Sequence, residues 1–257
     1  MDNFTDLNKQ FSPLNICMYC GSKENLTKEH IVPFGLGGPG AIPSSSCKIC
    51  AKKTSKFERH VLRGPMWGLR AHLGIKSRRP KDMPKTLPII LIKNDGESEV
   101  DLPIEEHPVF LHFPIFAPPS KLTNEHVEGI KIKGINTYGF GAAIPDVLKK
   151  YNARDIRSTE QSKPVSFARL IAKIAWCVAV AEGYMHKLDP QLSDAIINNP
   201  NNIGKFVGTY TDPLVSTQGM LHEIRLREDG KYLFADVQLF CATQTPRYGV
   251  ILGELEN

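Results

Sequence analysis

Two short cysteine pairs near the start of the chain constrain its fold more than any other feature. Cys17 and Cys20 form one C-x-x-C pair, Cys47 and Cys50 form a second, and 26 residues separate the two pairs. Each pair makes a tight turn that directs two thiolates at one point, and two such turns complete a closed tetrahedral zinc site. A closed site leaves no position for a substrate, so we expect this zinc to be structural.

The segment that contains these pairs has the composition of a zinc-stabilised module. Residues 16–79 are rich in Cys, Gly, Pro and basic residues and contain few periodic apolar positions. Such a segment cannot bury a large core of its own, and bound zinc then supplies much of its folding free energy. The other two cysteines, Cys177 and Cys241, lie within apolar patterns, and we expect both to be buried as small hydrophobic residues.

The charge of the chain is unevenly distributed. Residues 1–85 contain 15 Lys and Arg and 6 Asp and Glu, whereas residues 86–257 contain 17 and 21. A basic N-terminal part on an acidic remainder is typical of a phosphate-binding module joined to a second domain. A solvated charged surface gives the same distribution, so the charge alone leaves both interpretations open.

The sequence also predicts where the protein is located. Its most apolar stretch, residues 170–181, is interrupted by Lys173 and is shorter than the roughly 20 residues that span a bilayer. The N-terminal residues lack the basic-then-apolar order of a secretory signal. We therefore expect a cytoplasmic protein with no membrane partner, and we interpret residues 170–181 as part of a buried core helix.

The order of apolar and polar residues predicts an α+β fold with two domains. Residues 1–80 form the zinc-stabilised module, residues 77–88 contain a basic, proline-rich linker, and residues 81–257 form a larger domain of helices and antiparallel sheet. Residues 222–228 and 231–240 flank Asp229–Gly230 as the strands of a hairpin. The other predicted helices are 52–62, 65–73, 144–153, 165–185 and 190–198, and the other predicted strands are 89–92, 109–113, 131–138 and 248–252.

The sequence KEHIVPFGLGG lies between the cysteine pairs, and in it Glu29 and His30 are adjacent. Imidazole is largely neutral at cytosolic pH and can accept the proton of an attacking water. A carboxylate can bind a hard cation such as magnesium, which stabilises the charge that develops during phosphodiester hydrolysis. Neighbouring residues on a regular strand face opposite sides, so the two side chains can serve one site only if the strand is irregular there.

The whole pattern resembles the HNH endonuclease superfamily. It consists of C-x-x-C, then E-H-I-V-P-x-x-x-G-G, then a second C-x-x-C followed by a helix, and it covers residues 17–58. More narrowly, it is similar to nucleases whose ββα-metal motif is braced by a four-cysteine zinc, some of which serve in bacterial or phage defence. The resemblance implies that His30 is the general base and that Glu29 is a ligand of a catalytic magnesium or manganese ion. It also implies that the helix packs beneath the hairpin and completes the metal site.

The sequence departs from the family pattern before the second cysteine pair. The family usually has an asparagine there, which orients the histidine base, whereas this chain has Ile42 at about that position. We expect Ser44, Ser45 or a main-chain carbonyl to orient His30 instead.

A second departure follows the last cysteine. The family usually has His or Asn directly after it or one helical turn later, as a metal ligand, whereas this chain has Ala51 and Ser55. Glu58 lies about one further turn along and is the best replacement carboxylate, with Thr54 and His60 as weaker candidates. A degenerate module that does not cut nucleic acid remains an alternative.

Basic residues crowd this helix and are the expected contacts to nucleic-acid phosphates. Such contacts give affinity without sequence selectivity, although a solvated helix face has the same composition. The sequence therefore predicts a metal-dependent DNA endonuclease. The alternatives are a non-catalytic zinc-containing nucleic-acid-binding protein and a protein whose C-terminal domain acts as a sensor or interaction module. The expected nucleic-acid contacts are Lys52, Lys53, Lys56, Arg59 and Arg63.

Overall fold

Helices and antiparallel strands are interspersed along the chain. The computed structural model describes residues 3–4, 6–76, 83–159, 162–210 and 221–255. The helices are α1 (Lys48–Leu62), α2 (Trp67–His72), α3 (Ser120–Thr123), α4 (Ile144–Lys150), α5 (Pro164–Ala181) and α6 (Pro190–Ile197). The strands are β1 (Asn3–Phe4), β2 (Leu26–His30), β3 (Ala41–Cys47), β4 (Thr86–Lys93), β5 (Gly96–Pro103), β6 (Pro108–Phe116), β7 (Ile132–Gly141), β8 (Asp155–Ser158), β9 (Val207–Tyr210), β10 (His222–Asp229), β11 (Tyr232–Leu239) and β12 (Arg247–Glu254).

A hairpin followed directly by a helix forms the N-terminal part. Strand β2 pairs antiparallel with β3, and α1 begins at the residue after β3, which gives a β–β–α arrangement. The buried positions of α1 recur every three or four residues, so one face of the helix packs inward. These positions are Cys50, Thr54, Phe57 and Val61.

The largest sheet has the strand order β1-β10-β11-β12-β9, and all of its strands except β1 come from the C-terminal part. Its central hairpin, β10–β11, was predicted, but the turn lies one residue later than expected. Asp229 pairs with Tyr232, so Gly230 and Lys231 form the turn. Gly230 has a φ of +58°, a conformation that glycine adopts without strain at the first position of a two-residue hairpin turn.

Two smaller sheets lie between the N-terminal part and α5. One has the order β5-β4-β8 and the other pairs β6 with β7. The predicted linker is wrong at its end, because residues 86–88 belong to β4, where they pair with residues 101–103. Residues 77–82 of that linker, and with them the predicted domain boundary at residue 80, lie outside the described residues.

Helix α5 is the centre of the main core. Its residues from Phe167 to Val180 are nearly all buried, and they belong to one cluster with Ile31 and Phe57 from the N-terminal part and Val237 from β11. Within the described ranges, α5 alone is long and apolar enough to cross a membrane, but 72% of it is buried inside the protein. This burial agrees with the predicted core helix, which therefore supplies apolar surface to both parts of the chain.

Most predicted elements are present with shifted bounds. The helix predicted at 165–185 ends at Ala181, because Gly183 adopts a left-handed conformation and a short 3-10 turn follows. Helix α1 begins four residues earlier than predicted, at Lys48, within the second cysteine pair. Strands β1, β5, β8 and β9 were not predicted.

Candidate metal site and adjoining cleft

The four paired cysteines converge on one point. Their sulfur atoms all lie within 4.8 Å of one another, and the Sγ atoms of Cys20 and Cys47 are 3.7 Å apart. A tetrahedral zinc with zinc–sulfur bonds of about 2.3 Å places its sulfur ligands roughly 3.8 Å apart. The four cysteines are therefore positioned to hold a metal ion, consistent with structural zinc.

Local backbone geometry produces this convergence. The turn of the first pair closes with a hydrogen bond from the Gly21 amide to the Cys17 carbonyl, 2.9 Å long, and Gly21 has a φ of +73°. Cys47 ends β3 and caps α1, because its sulfur accepts a 3.5 Å hydrogen bond from the Cys50 amide. The pairing of Leu26 with Cys47 brings the start of the hairpin beside its end.

The thiols of this cluster differ strongly in acidity. Burial and the negative charge of Cys17 raise the pKa of Cys50 well above its ordinary value. Burial also raises the pKa of Cys47, but the hydrogen bonds from the Cys50 amide and neighbouring thiols outweigh it and lower that pKa to about 7. Four sulfur atoms this close cannot all ionise without a cation between them, which is the charge that a zinc ion supplies.

A cleft of about 520 Å³ lies between β2 and α1. It brings together five residues that the sequence predicted for the site. They are Glu29, His30, Glu58, Arg59 and Arg63.

The two adjacent residues of the motif both line this cleft. Glu29 pairs with Ile42 and is 6% exposed, whereas His30 is half-buried, with its ring 6.0 Å from the Phe34 ring. The β2–β3 pairing shifts register between Thr27 and Glu29, immediately before the pair. This shift precedes the pair, and Glu29 and His30 themselves are in regular register with Ile42 and Ala41. The irregularity that the sequence required between the two residues is therefore not seen in the pairing, although both residues line the same cleft.

A lysine from the far end of the chain joins the two carboxylates. The Nζ atom of Lys173 lies 3.0 Å from Glu29 Oε1 and 3.0 Å from Glu58 Oε1, and the Lys173 side chain is completely buried. It also donates to the backbone carbonyl of His30 and lies 3.4 Å from that of Ile31. Burial lowers the pKa of Lys173, but the charges of Glu29 and Glu58 outweigh burial and hold it above its ordinary value.

Sequence reasoning placed Glu58 near Glu29 but missed this lysine. In the sequence, Lys173 is only an interruption of an apolar run. Its signal was available, since a lysine in a fully buried helix almost always has a buried partner. No local pattern connects it to Glu29, because 144 positions separate the two residues.

The weaker candidates lie elsewhere or have other partners. The Ser45 hydroxyl donates to the Ile42 carbonyl over 2.7 Å. Thr54 lines the cleft but donates to the backbone of its own helix, to the Ala51 carbonyl. His60 is exposed and its Nδ1 lies 3.3 Å from the hydroxyl of Ser166, on another side of α1.

Four of the five predicted phosphate contacts form one stripe on α1. Lys52, Lys56, Arg59 and Arg63 are separated by four, three and four positions, which places them on one face, opposite the buried face. Arg59 and Arg63 also line the cleft, so the stripe forms its rim. Lys53 lies off this stripe and donates to Asn198 over 2.6 Å.

Arg70 is a further basic residue of the cleft. It is 5% exposed, and its guanidinium donates to the carbonyls of Gly35 and Leu62 over 2.5 and 2.8 Å. Its guanidinium carbon also lies 5.2 Å from the centre of the Trp67 ring. Burial lowers the pKa of Arg70, with a further contribution from the charge of Arg63. Arg70 thus fixes the loop after β2 to the end of α1.

Comparison of the chain with protein-family models, with curated proteins and with solved structures finds no match. The site itself consists of a four-cysteine cluster and a cleft with one histidine, two carboxylates and a basic rim.

Proposed function

We propose that the cleft is the active site of a metal-dependent endonuclease of the HNH type, which hydrolyses phosphodiester bonds in DNA. One observation carries the proposal. Glu29, His30 and Glu58 line the same cleft, although Glu58 comes from a different element of the β–β–α unit.

His30 has the chemistry of the general base. Its half-buried imidazole lines the cleft and can accept the proton of a water molecule that attacks a bound phosphate. Its backbone is held on the buried side by Lys173, which donates to the His30 carbonyl. The strand that carries the base is therefore fixed to the core helix.

The two glutamates have the chemistry of the metal ligands. Carboxylate oxygens are the protein donors that magnesium and manganese prefer, so the donor set fits either ion. When bound, such an ion supplies charge that stabilises the phosphate and the leaving oxygen. Lys173 contacts Oε1 of each glutamate, and the whole side chains of Glu29 and Glu58 are 8% and 17% exposed.

The basic stripe has the chemistry of a DNA backbone contact. Arg59 and Arg63 at the rim of the cleft, continued by Lys52 and Lys56, can neutralise successive phosphates without reading the sequence. Their position beside the cleft would place a phosphodiester near His30.

A second function has one observation in its favour. The ammonium of Lys173 already neutralises part of the carboxylate charge that a divalent ion would use. That arrangement also fits a zinc-containing nucleic-acid-binding protein that does not cut.

Cleavage of supercoiled plasmid by the zinc-loaded full chain, with and without magnesium or manganese, tests the proposal. Removing a general base costs roughly 100- to 10,000-fold in rate, so His30→Ala should reduce nicking by at least about 100-fold. His60→Ala is the matched control, because His60 is an exposed histidine outside the cleft, and it should leave nicking unchanged.

Two results would contradict the proposal. Unchanged nicking by folded, zinc-containing His30→Ala would exclude His30 as the base. Wild-type protein that binds DNA but does not cut it with any divalent ion would favour the second function.

DNA affinity measured against salt concentration tests the basic rim. Each lost phosphate contact reduces the slope of log affinity against log salt by about 0.9, so Arg59→Gln/Arg63→Gln should reduce it by about 2. Lys53→Gln is the control, since Lys53 is on the same helix but off the stripe. Equal slopes for wild type, Arg59→Gln/Arg63→Gln and Lys53→Gln would mean that the DNA does not contact this rim.

A further inference from the structure

We propose that Lys173 is a positioning residue of this active site and that its charge makes divalent-metal binding depend on the DNA. The inference rests on the proposed function, because it concerns the same two carboxylates. It also gives the C-terminal part of the chain a direct role in the site, since Lys173 belongs to α5.

One ammonium group contacts both elements that form the cleft. Lys173 Nζ contacts one oxygen of Glu29 on β2, one oxygen of Glu58 on α1, and the carbonyls of His30 and Ile31. These oxygens come from both elements that form the cleft. Moving or removing the ammonium therefore changes the relative positions of both carboxylates and of the strand that carries His30.

Lys173 approaches the two carboxylates from the side away from the cleft. It is completely buried and is not among the residues that line the cleft, whereas Glu29 and Glu58 are. The ammonium therefore holds the carboxylates from their buried side. This is the geometry of a group that supports the site rather than one that touches the substrate.

Packing alone does not require a charged side chain at this position of α5. The neighbours of Lys173 along α5 are buried and almost entirely apolar. Replacing a buried ion pair by well-packed apolar residues is often neutral or stabilising, so stability alone does not require a charge here. The position of the charge, between two carboxylates at the base of a cleft, is what needs an explanation.

The charges of the cluster determine how it binds a metal ion. Two carboxylates and one ammonium carry one net negative charge, whereas the carboxylates alone carry two. A divalent ion therefore binds the free protein weakly, and a DNA phosphate completes the neutralisation. Without the ammonium, the same carboxylates bind the ion more tightly before any DNA is present.

Manganese binding to the zinc-loaded full chain without DNA tests this charge effect. Electron paramagnetic resonance of free manganese gives the affinity independently of cleavage. Lys173→Met should bind manganese at least about tenfold more tightly than wild type. Lys173→Arg retains the charge and should bind it as wild type does.

If Lys173→Met alone fails to fold, the same test can be made in the Glu58→Gln variant. Glu58→Gln leaves one carboxylate, so Lys173→Met in that background creates no like-charged pair. Manganese affinity should rise from Glu58→Gln to Glu58→Gln/Lys173→Met. Equal affinity in each foldable background, with zinc content and circular dichroism unchanged, would overturn the inference.

Cleavage kinetics test the positioning role. Displacement of catalytic groups by about 1 Å can cost roughly 100-fold in rate, so Lys173→Met should reduce kcat about 100-fold with little change in KM for DNA. Lys173→Arg should recover most of this loss. A wild-type kcat in Lys173→Met would overturn the positioning role. A wild-type protein that never cleaves would instead overturn the proposed function. Manganese binding would still measure the effect of the Lys173 charge on metal affinity.

Discussion

Replacing Lys173 with methionine should destabilise the folded protein by about 3–5 kcal/mol, the usual cost of breaking a buried ion pair. Methionine has a similar length and is apolar, so the change removes charge with little change in packing. It leaves Glu29 and Glu58 close together without the ammonium that lay 3.0 Å from each.

The distances set the size of this effect. Because both Oε1 atoms lie 3.0 Å from the same Nζ, they are at most about 6 Å apart. At an effective dielectric constant of about 20, two like charges separated by ~6 Å repel each other by about 3 kcal/mol. The exposed pair Arg157–Glu97, with side chains 55% and 49% exposed, should contribute less than about 1 kcal/mol.

Urea unfolding of the zinc-loaded proteins, followed by circular dichroism, measures the difference. Arg157→Met is the control for loss of an exposed ion pair. Glu29→Gln/Lys173→Met/Glu58→Gln removes all three charges and should recover most of the lost stability, or fold where Lys173→Met does not. If Lys173→Met is no less stable than Arg157→Met, the electrostatic reasoning is wrong. If the triple variant recovers nothing, lost packing rather than lost pairing accounts for the effect.

Three further predictions concern the zinc, a buried histidine and a glycine. Cys47→Ser should lower bound zinc below one per chain and reduce Tm, whereas Cys241→Ser, at a buried cysteine outside the cluster, should retain one zinc by elemental analysis. Burial lowers the pKa of His222 to about 4, so the folded state favours the neutral imidazole. The contribution of this group to the free energy of unfolding is complete above pH 6.5 and is lost as the pH falls toward 4, by about 3 kcal/mol in total. The difference between wild-type and His222→Gln unfolding curves across that range should show this loss, and parallel curves would refute it. Gly38→Ala should destabilise the protein by about 1–3 kcal/mol, because a Cβ there would lie 2.2 Å from a backbone carbonyl oxygen. Gly134→Ala is the control, because a Cβ at Gly134 meets nothing within 4 Å. Equal Tm values for the two variants would contradict this.

The parts of the site that could be predicted from sequence are those with local patterns. The spacing of Cys17, Cys20, Cys47 and Cys50 is sufficient to predict one metal site, because each pair makes its own turn. Counting helical turns after the last cysteine is sufficient to select Glu58. These steps use only neighbours along the chain.

The parts that could not be predicted depend on contacts between distant segments or on exposed strands. Lys173 meets the site across more than 140 positions, and no periodicity connects it with Glu29. Strand β5 is largely exposed and charged, so it lacks the alternation by which strands are recognised. The Asp229–Gly230 prediction was one residue early because a turn pattern does not fix the register of the strands on either side.

The position of Lys173 on α5 also determines the order in which the site can be completed during synthesis. A ribosome adds roughly 5–20 residues per second, so roughly 6–23 seconds separate the synthesis of Glu58 from that of Lys173. During that interval the nascent chain carries its histidine and both glutamates without the ammonium that joins them. The chain must therefore be translated at least as far as Lys173 before the two glutamates have the ammonium that joins them.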